Sequence, residues 1–378
     1  MKIYARLFVI TLFLFLIVFS CKDSFLETKP YGALGEKSLT ESESGADAIL
    51  ISAYSNLDGF SGWDNSTPWG GAASNWTFGS IAGGDAYKGS EANDQPEITP
   101  IELHTLDANN PYLEGKWRNY YDGISRTNKA INSFKGLTAA AISEINRSTR
   151  LGEAKFLRAF YHYELFKVFK NVPYITEDLL DVRIGNDKDV LPLIQADLNE
   201  AVNSLPLTQP EPGRATKGAA QAYLGLTYLW QKDYSNAKAQ FDAVIGSGRY
   251  ALDDIFHENF NAAFRNTSES ILEVQQAVNV GTDDNSNNGD VLNFPYNGGP
   301  GGCCGFHQPS QNLVNAFKTD AGGLPLLDTY NNTDFKSDNL VSSFSLPATG
   351  GHSVGEMIND NYSPDFVTTV DPRLDYTV

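Results

Sequence analysis

Between residues 215 and 247, two helix-length runs are separated by only three residues, and that spacing constrains the fold more than any other feature of the chain. The first run sets Leu224, Gly225 and Tyr228 at helical intervals, and the second does the same with Tyr234, Ala237 and Phe241. A connection this short makes the two helices antiparallel neighbours. Gly225 and Ala237 are small enough to let the backbones approach, and the aromatic rings fill the groove between them. Gly246, Gly248 and Tyr250 close the unit. A helix pair cannot bury its own apolar face, so it must stack on further helices.

The same spacing resembles the tetratricopeptide pattern, a repeat that supplies scaffold and binding surface. Helical periodicity predicts the neighbours. Residues 42–57 carry Ala46, Ile49, Ile51, Ala53, Tyr54 and Leu57, and residues 112–134 carry Trp117, Tyr120, Tyr121, Ile124, Asn128 and Ile131. Residues 142–169 have apolar positions on two faces, with Ala154, Leu157, Tyr161 and Leu165 on one and Phe156, Phe160 and Tyr163 on the other. Two apolar faces predict a helix buried on both sides. A further helix is expected over 190–205, ended by Leu205 and Pro206, and a short one over 310–317 with Ser310 as its cap. The stretches around 117–134 and 151–169 are the expected stacking partners of the hairpin. The fold class is mainly α, with long irregular loops.

Those loops are unusual. Residues 59–111 are rich in Gly, Asn, Ser and Asp, yet hold Phe60, Trp63, Trp69, Trp76, Phe78 and Tyr87. So many large rings predict an ordered loop system rather than a linker. A second glycine-rich region, 281–305, precedes Phe306 and His307.

At the amino terminus, Lys2 and Arg6 precede a 13-residue apolar run that ends at Ser20 and Cys21. The run is too short to span a bilayer as a helix, and its basic-then-apolar order is that of an export signal. With Cys21 at the junction, the pattern resembles that of a bacterial lipoprotein. The expected organisation is a signal peptide over 1–20, a lipid-anchored tether over 21–40 and one domain over 41–378. Cleavage before Cys21 leaves 26 basic residues against 46 acidic ones, a charge of −20. That excess excludes a nucleic-acid partner, which requires a basic surface.

Several segments in order then resemble the SusD-like (RagB/SusD) family of outer-membrane nutrient-binding lipoproteins. They are Cys-Lys-Asp-Ser-Phe-Leu-Glu from Cys21, the run from Trp117 through Tyr121, Ile124 and Asn128 to Ile131, and Gly-Glu-Ala-Lys-Phe-Leu-Arg-Ala-Phe-Tyr over 152–161. Residues 169–173, 219–228, 247–250 and 309–317 and Asp-Pro-Arg-Leu from Asp371 continue the series. The resemblance implies a helical scaffold with tetratricopeptide-like pairs, whose less regular loops build a binding face. It also implies surface display on the outer membrane and delivery of glycan or oligosaccharide to a SusC-like TonB-dependent channel, without catalysis and without a cofactor. Relatives for peptides or other nutrients are the alternative, and a glycoside hydrolase or pure scaffold is a further one. Family members continue well past an Asp-Pro-Arg-Leu segment, which implies that this chain is cut short at its carboxy terminus.

The loop aromatics are the candidate ligand-binding residues, because sugar C–H faces pack on aromatic rings while amides and carboxylates take the hydroxyls. They are Trp63, Trp69, Trp76, Phe78 and Tyr87 in the early loop, and Tyr296, Phe306 and His307 in the late one. Family members often bind with rings from both an early and a late loop, which implies a joint site. For each ring, packing against the core is the competing use. Cys303 and Cys304, flanked by glycines, either close a vicinal disulfide or stay free thiols; with His307 alone nearby they lack the ligand spacing of zinc. Asp283, Asp284, Asn285, Asn287 and Asp290 lack the terminal Glu of a calcium loop and are expected to be a solvated segment. Glu91 and Asp94 make only a chance carboxylate pair, and the five histidines show no metal-ligand spacing. His162, among aromatics, is expected to be structural.

Overall fold

The structure, a computed structural model, describes residues 39–58, 76–275, 292, 305–335 and 371. In chain order its elements are α1 (Glu43–Tyr54), a 3-10 turn (Ser55–Asp58), one π-helical turn (Thr77–Ile81), β1 (Ala86–Lys88) and the short α2 (Thr99–Glu102). Then come α3 (Pro111–Gly136), α4 (Glu144–Phe169), α5 (Leu191–Ser204), α6 (Lys217–Trp230), α7 (Tyr234–Gly246), β2 (His307–Pro309) and α8 (Gln311–Ala316). All the helices expected from periodicity are present. Side-chain caps fix several of their starts: Ser42, Ser143, Thr216, Asp233 and Ser310 accept from the backbone N–H groups of Gly45, Asn146, Ala219, Asn236 and Leu313. Each such cap contributes about 1 kcal/mol. The first helix ends earlier than the pattern predicts, because its last turn tightens into the 3-10 segment.

The long helices pack in sequence, α3 on α4, α4 on α5, α5 on α6 and α6 on α7, with α1 lying across α3 and α4. The helix α5 packs directly on the α6–α7 hairpin, and the expected partner 151–169 also meets it, with Phe156 and Phe160 against Tyr223 and Phe166 against Trp230; the stretch 117–134, expected beside it, instead packs on α4 and α1, a correction. Gly225 explains the closeness of the hairpin, since a Cβ there would lie 2.5 Å from the Phe241 ring. The helix α4 runs through the middle of the stack. Between Gly152 and Phe166 every residue but Lys155 is buried, as two apolar faces require.

Three charged residues on α4 share this burial, and each is paired with a different element, as charges removed from water must be. Glu153 accepts from Arg150 and from Arg214, which stands just before α6. Arg158 grips Asp197 on α5 and Glu177 in the α4–α5 connection. Glu164 faces Lys116 on α3 and Lys167 on α4. His162 is fully buried, with Nδ1 on the Arg158 carbonyl oxygen and Nε2 accepting from Ile175 N–H. It is structural, as expected.

A second, smaller core lies apart from the helical one. It is built by Trp76, Ile81, Ala86, Ile98, Ile101, Tyr112 and Phe306. From Trp76 the early loop region is built around its own apolar centre. Among the described residues, no helix is long and apolar enough to cross a membrane.

Candidate binding face

The two loop regions meet. β1 and β2 pair antiparallel with Ala86 opposite Pro309, Tyr87 opposite Gln308 and Lys88 opposite His307. The pairing extends past the strands through Gly89 N–H to Phe306 O at 2.9 Å and Ser90 N–H to Gly305 O at 3.2 Å. Gly89 is required there, because a Cβ at that position would overlap the Gly305 carbonyl oxygen. Ser310 locks the other end: its N–H donates to Asp85 O at 2.9 Å and its hydroxyl to Gly84 O at 2.6 Å. One serine thus caps α8 and fastens it to the early loop.

Side chains alternate across a strand, and directly paired residues share a face. The ribbon therefore sorts the candidates. Tyr87, 48% exposed, and the exposed Gln308 share the outer face. Ala86, Lys88 and His307 share the inner one. On that side His307 Nε2 lies 2.5 Å from Ser80 Oγ, and Ser80 donates its own proton to Trp76 O at 3.2 Å. The hydroxyl then accepts from Nε2–H, which fixes the imidazole as a strut between the ribbon and the π-helical turn. Burial holds the His307 pKa below the ordinary imidazole value, against the opposing charge of Asp85. Burial likewise lowers Lys88, against Asp94 and Glu102.

Two candidates are corrected. Trp76 is 3% exposed and Phe306 is fully buried, with ring centroids 6.2 Å apart. Both are packing residues of the small core, which is assembled from short segments and needs large rings to fill it. Phe78 is half-buried on the flank of the same core. Trp63, Trp69, Tyr296, Cys21, Cys303, Cys304, the acidic run over 283–290 and the segment 372–374 lie outside the described residues. Gln308 is the residue that sequence reasoning passed over. Its only signal was its place between His307 and Pro309, where strand alternation puts it opposite in sense to His307.

A ring with its face open to solvent beside a primary amide suits a polyhydroxylated ligand: the ring takes C–H groups, and the amide both donates to and accepts from hydroxyls. Among the described residues there is no group of three or more His, Cys, Asp or Glu side chains able to hold a metal ion.

Residues 24–229 match the SusD-like family model described as starch-binding associating with outer membrane. The chain belongs to the SusD-like family. A SusD-like protein of Bacteroides ovatus is 26% identical over 276 residues, 69% of this chain and 48% of that protein. Among solved structures, a laminarin binding SusD-like protein superposes with a TM-score of 0.51 at 28% identity, over 61% of this chain and 51% of its own. Surface glycan-binding protein A from Bacteroides thetaiotaomicron, in complex with laminarihexaose, shares the fold with a TM-score of 0.53 at 20% identity, over 61% and 49% of the two chains. The chain spans about half the length of the curated relatives it matches. The matched region, 24–229, holds the helical scaffold as far as α6 together with β1, so the SusD-like character rests on the stack that carries the ribbon.

Proposed function

We propose that this SusD-like chain is a non-catalytic glycan-binding protein of the outer-membrane surface, anchored by lipid at Cys21, that passes oligosaccharide to a SusC-like TonB-dependent channel. The observation that carries the reading is the β1–β2 ribbon, which brings an early and a late loop together and leaves Tyr87 and Gln308 on one open face. Phe78 lies nearby in sequence, and Trp63, Trp69 and Tyr296 belong to the segments that lead into the two strands. Family membership and the likeness to a laminarin binding relative support a glucan-type ligand. A lipid tether also keeps the binder at high effective concentration over a channel mouth.

The test is isothermal titration against laminari-, cello- and malto-oligosaccharides beside a peptide panel, followed by chromatography of the mixtures. Saturable heat with a sugar, without shorter products, is the expected result. Binding confined to peptides would transfer the reading to a peptide-capturing relative, and released product would make the protein a hydrolase. Intact mass of the membrane-extracted protein checks the diacylglyceryl group at Cys21, and gentle solubilisation should recover a barrel partner.

A further inference from the structure

On the α4 side of the small core lies a cleft of about 470 Å³. Its walls belong to both hydrophobic cores: Phe78 and Leu106 pack on the small one, and Phe169 packs on the helical one. Ligand pockets favour junctions between packed units and run to roughly 300–1,000 Å³, so size and place both suit occupancy. The Phe169 ring is held edge-on by Trp117, with centroids 5.2 Å apart at 88°.

The polar lining differs from that of a packing seam. His104 adopts φ +54, a left-handed backbone uncommon outside glycine. It is held there by its N–H to Ile101 O at 3.3 Å and by Thr105 N–H to Pro100 O at 2.9 Å. The imidazole is exposed and has no hydrogen bond among the described residues. Asp107 is also exposed; Oδ1 accepts from Asn109 N–H at 2.7 Å, and Oδ2 is unengaged among the described residues. The one cation on the wall, Lys167, pairs with the buried Glu164 at 2.6 Å. Rings on two sides, an open imidazole and carboxylate, and a lysine already engaged by Glu164 select a neutral, hydroxyl-rich ligand over an anion.

We infer that this cleft is a second carbohydrate subsite, in which Phe78 and Phe169 pack on sugar C–H faces while Asp107 and His104 take hydroxyls. The inference rests on the glycan-binding reading above and adds a site separate from the Tyr87–Gln308 face. Its test uses the full chain and the oligosaccharide panel, laminarihexaose first. Ala108→Trp fills the cleft from an exposed position on its lining. Asp107→Asn removes the carboxylate but keeps the oxygen that accepts from Asn109. Both variants, checked for an unchanged unfolding midpoint, should weaken sugar binding by about tenfold or reduce the number of sites, and Tyr87→Ala in the same background should weaken it further. Should Ala108→Trp disturb folding, Asp107→Asn decides alone. Parent-like binding in the cleft variants, with loss in Tyr87→Ala, overturns the second subsite and leaves the ribbon reading intact. A parent that binds no sugar in the panel overturns both.

Discussion

Replacing Arg158 by Met should be among the most destabilising single changes in the scaffold, and the structure sets its size. Arg158 is 4% exposed and clasps Asp197 in a fork, Nε to Oδ2 at 2.6 Å and Nη2 to Oδ1 at 2.8 Å. Its Nη1 reaches Asn128 Oδ1 at 3.0 Å and also Glu177. One guanidinium therefore joins α3, α4, α5 and the α4–α5 connection. Methionine fills much of the same volume but leaves Asp197 buried with the Tyr174 hydroxyl as its remaining hydrogen-bond donor among the described residues, while Glu177 keeps Lys135 at 2.6 Å. Removing one partner of a buried pair costs about 3–5 kcal/mol; with Tyr174 and Lys135 still in place, the lower end, about 3 kcal/mol, applies. Replacing both partners by apolar groups is far milder, so Arg158→Met with Asp197→Leu should recover to within about 1 kcal/mol of the parent. Urea unfolding at neutral pH, followed by circular dichroism, measures both through the midpoint at constant slope. A single variant within about 1 kcal/mol of the parent, or a double variant no better than the single, would refute the view that the fork compensates two buried charges.

Acid should loosen the same region in two stages. Burial holds His162 down to about 4, so between its unfolded value near 6.5 and about 4 the unfolded chain binds the extra proton; about 3 kcal/mol of stability is lost as pH falls through that window, and His162→Gln should flatten this part of the stability curve. Burial alone would raise Glu177, but the Lys135 hydrogen bond and the Arg158 charge outweigh it and hold the carboxyl at about 2, so its contribution is present above the unfolded carboxylate value and fades between about pH 4.5 and 2; Glu177→Gln should remove that second decline. Gly89→Ala should prevent the ribbon from closing and weaken sugar binding while leaving the helical circular dichroism signal unchanged, and retention of parent affinity would show that the ribbon does not organise the site. Tyr87→Ala should weaken oligosaccharide binding by about 2 kcal/mol in titration calorimetry, since binding energy concentrates in a few rings. Lys170 sits at φ +64 and ψ −111, a backbone open chiefly to glycine, so Lys170→Gly should raise the unfolding free energy by about 1 kcal/mol despite losing the ammonium contact to the Trp230 ring.

The helices were legible because they announce themselves locally. A 3.6-residue period such as that of Tyr120, Ile124 and Ile131 is a property of neighbours in the chain, and so is a cap such as Ser310 ahead of Leu313. The two apolar faces over 152–166 likewise foretold a central helix, and of the segments quoted for the SusD-like resemblance 117–131, 152–161 and 219–228 lie on that scaffold. The binding face was legible only in outline. Ring-rich loops marked the two regions that the β1–β2 ribbon joins, but aromatic type does not distinguish a ring that fills a core from one that faces water. Trp76 and Tyr87 stand 11 positions apart in loops of similar composition, and one is buried while the other is open. What separates them is the pairing of β1 with β2, a contact between residues more than 200 positions apart, which sets Tyr87 with Gln308 on one face and turns His307 to the other. Periodicity within the chain therefore fixed which segments are helices, while register between distant segments, held by Gly89, Ser80 and Ser310, decided which side chains of the ribbon face water.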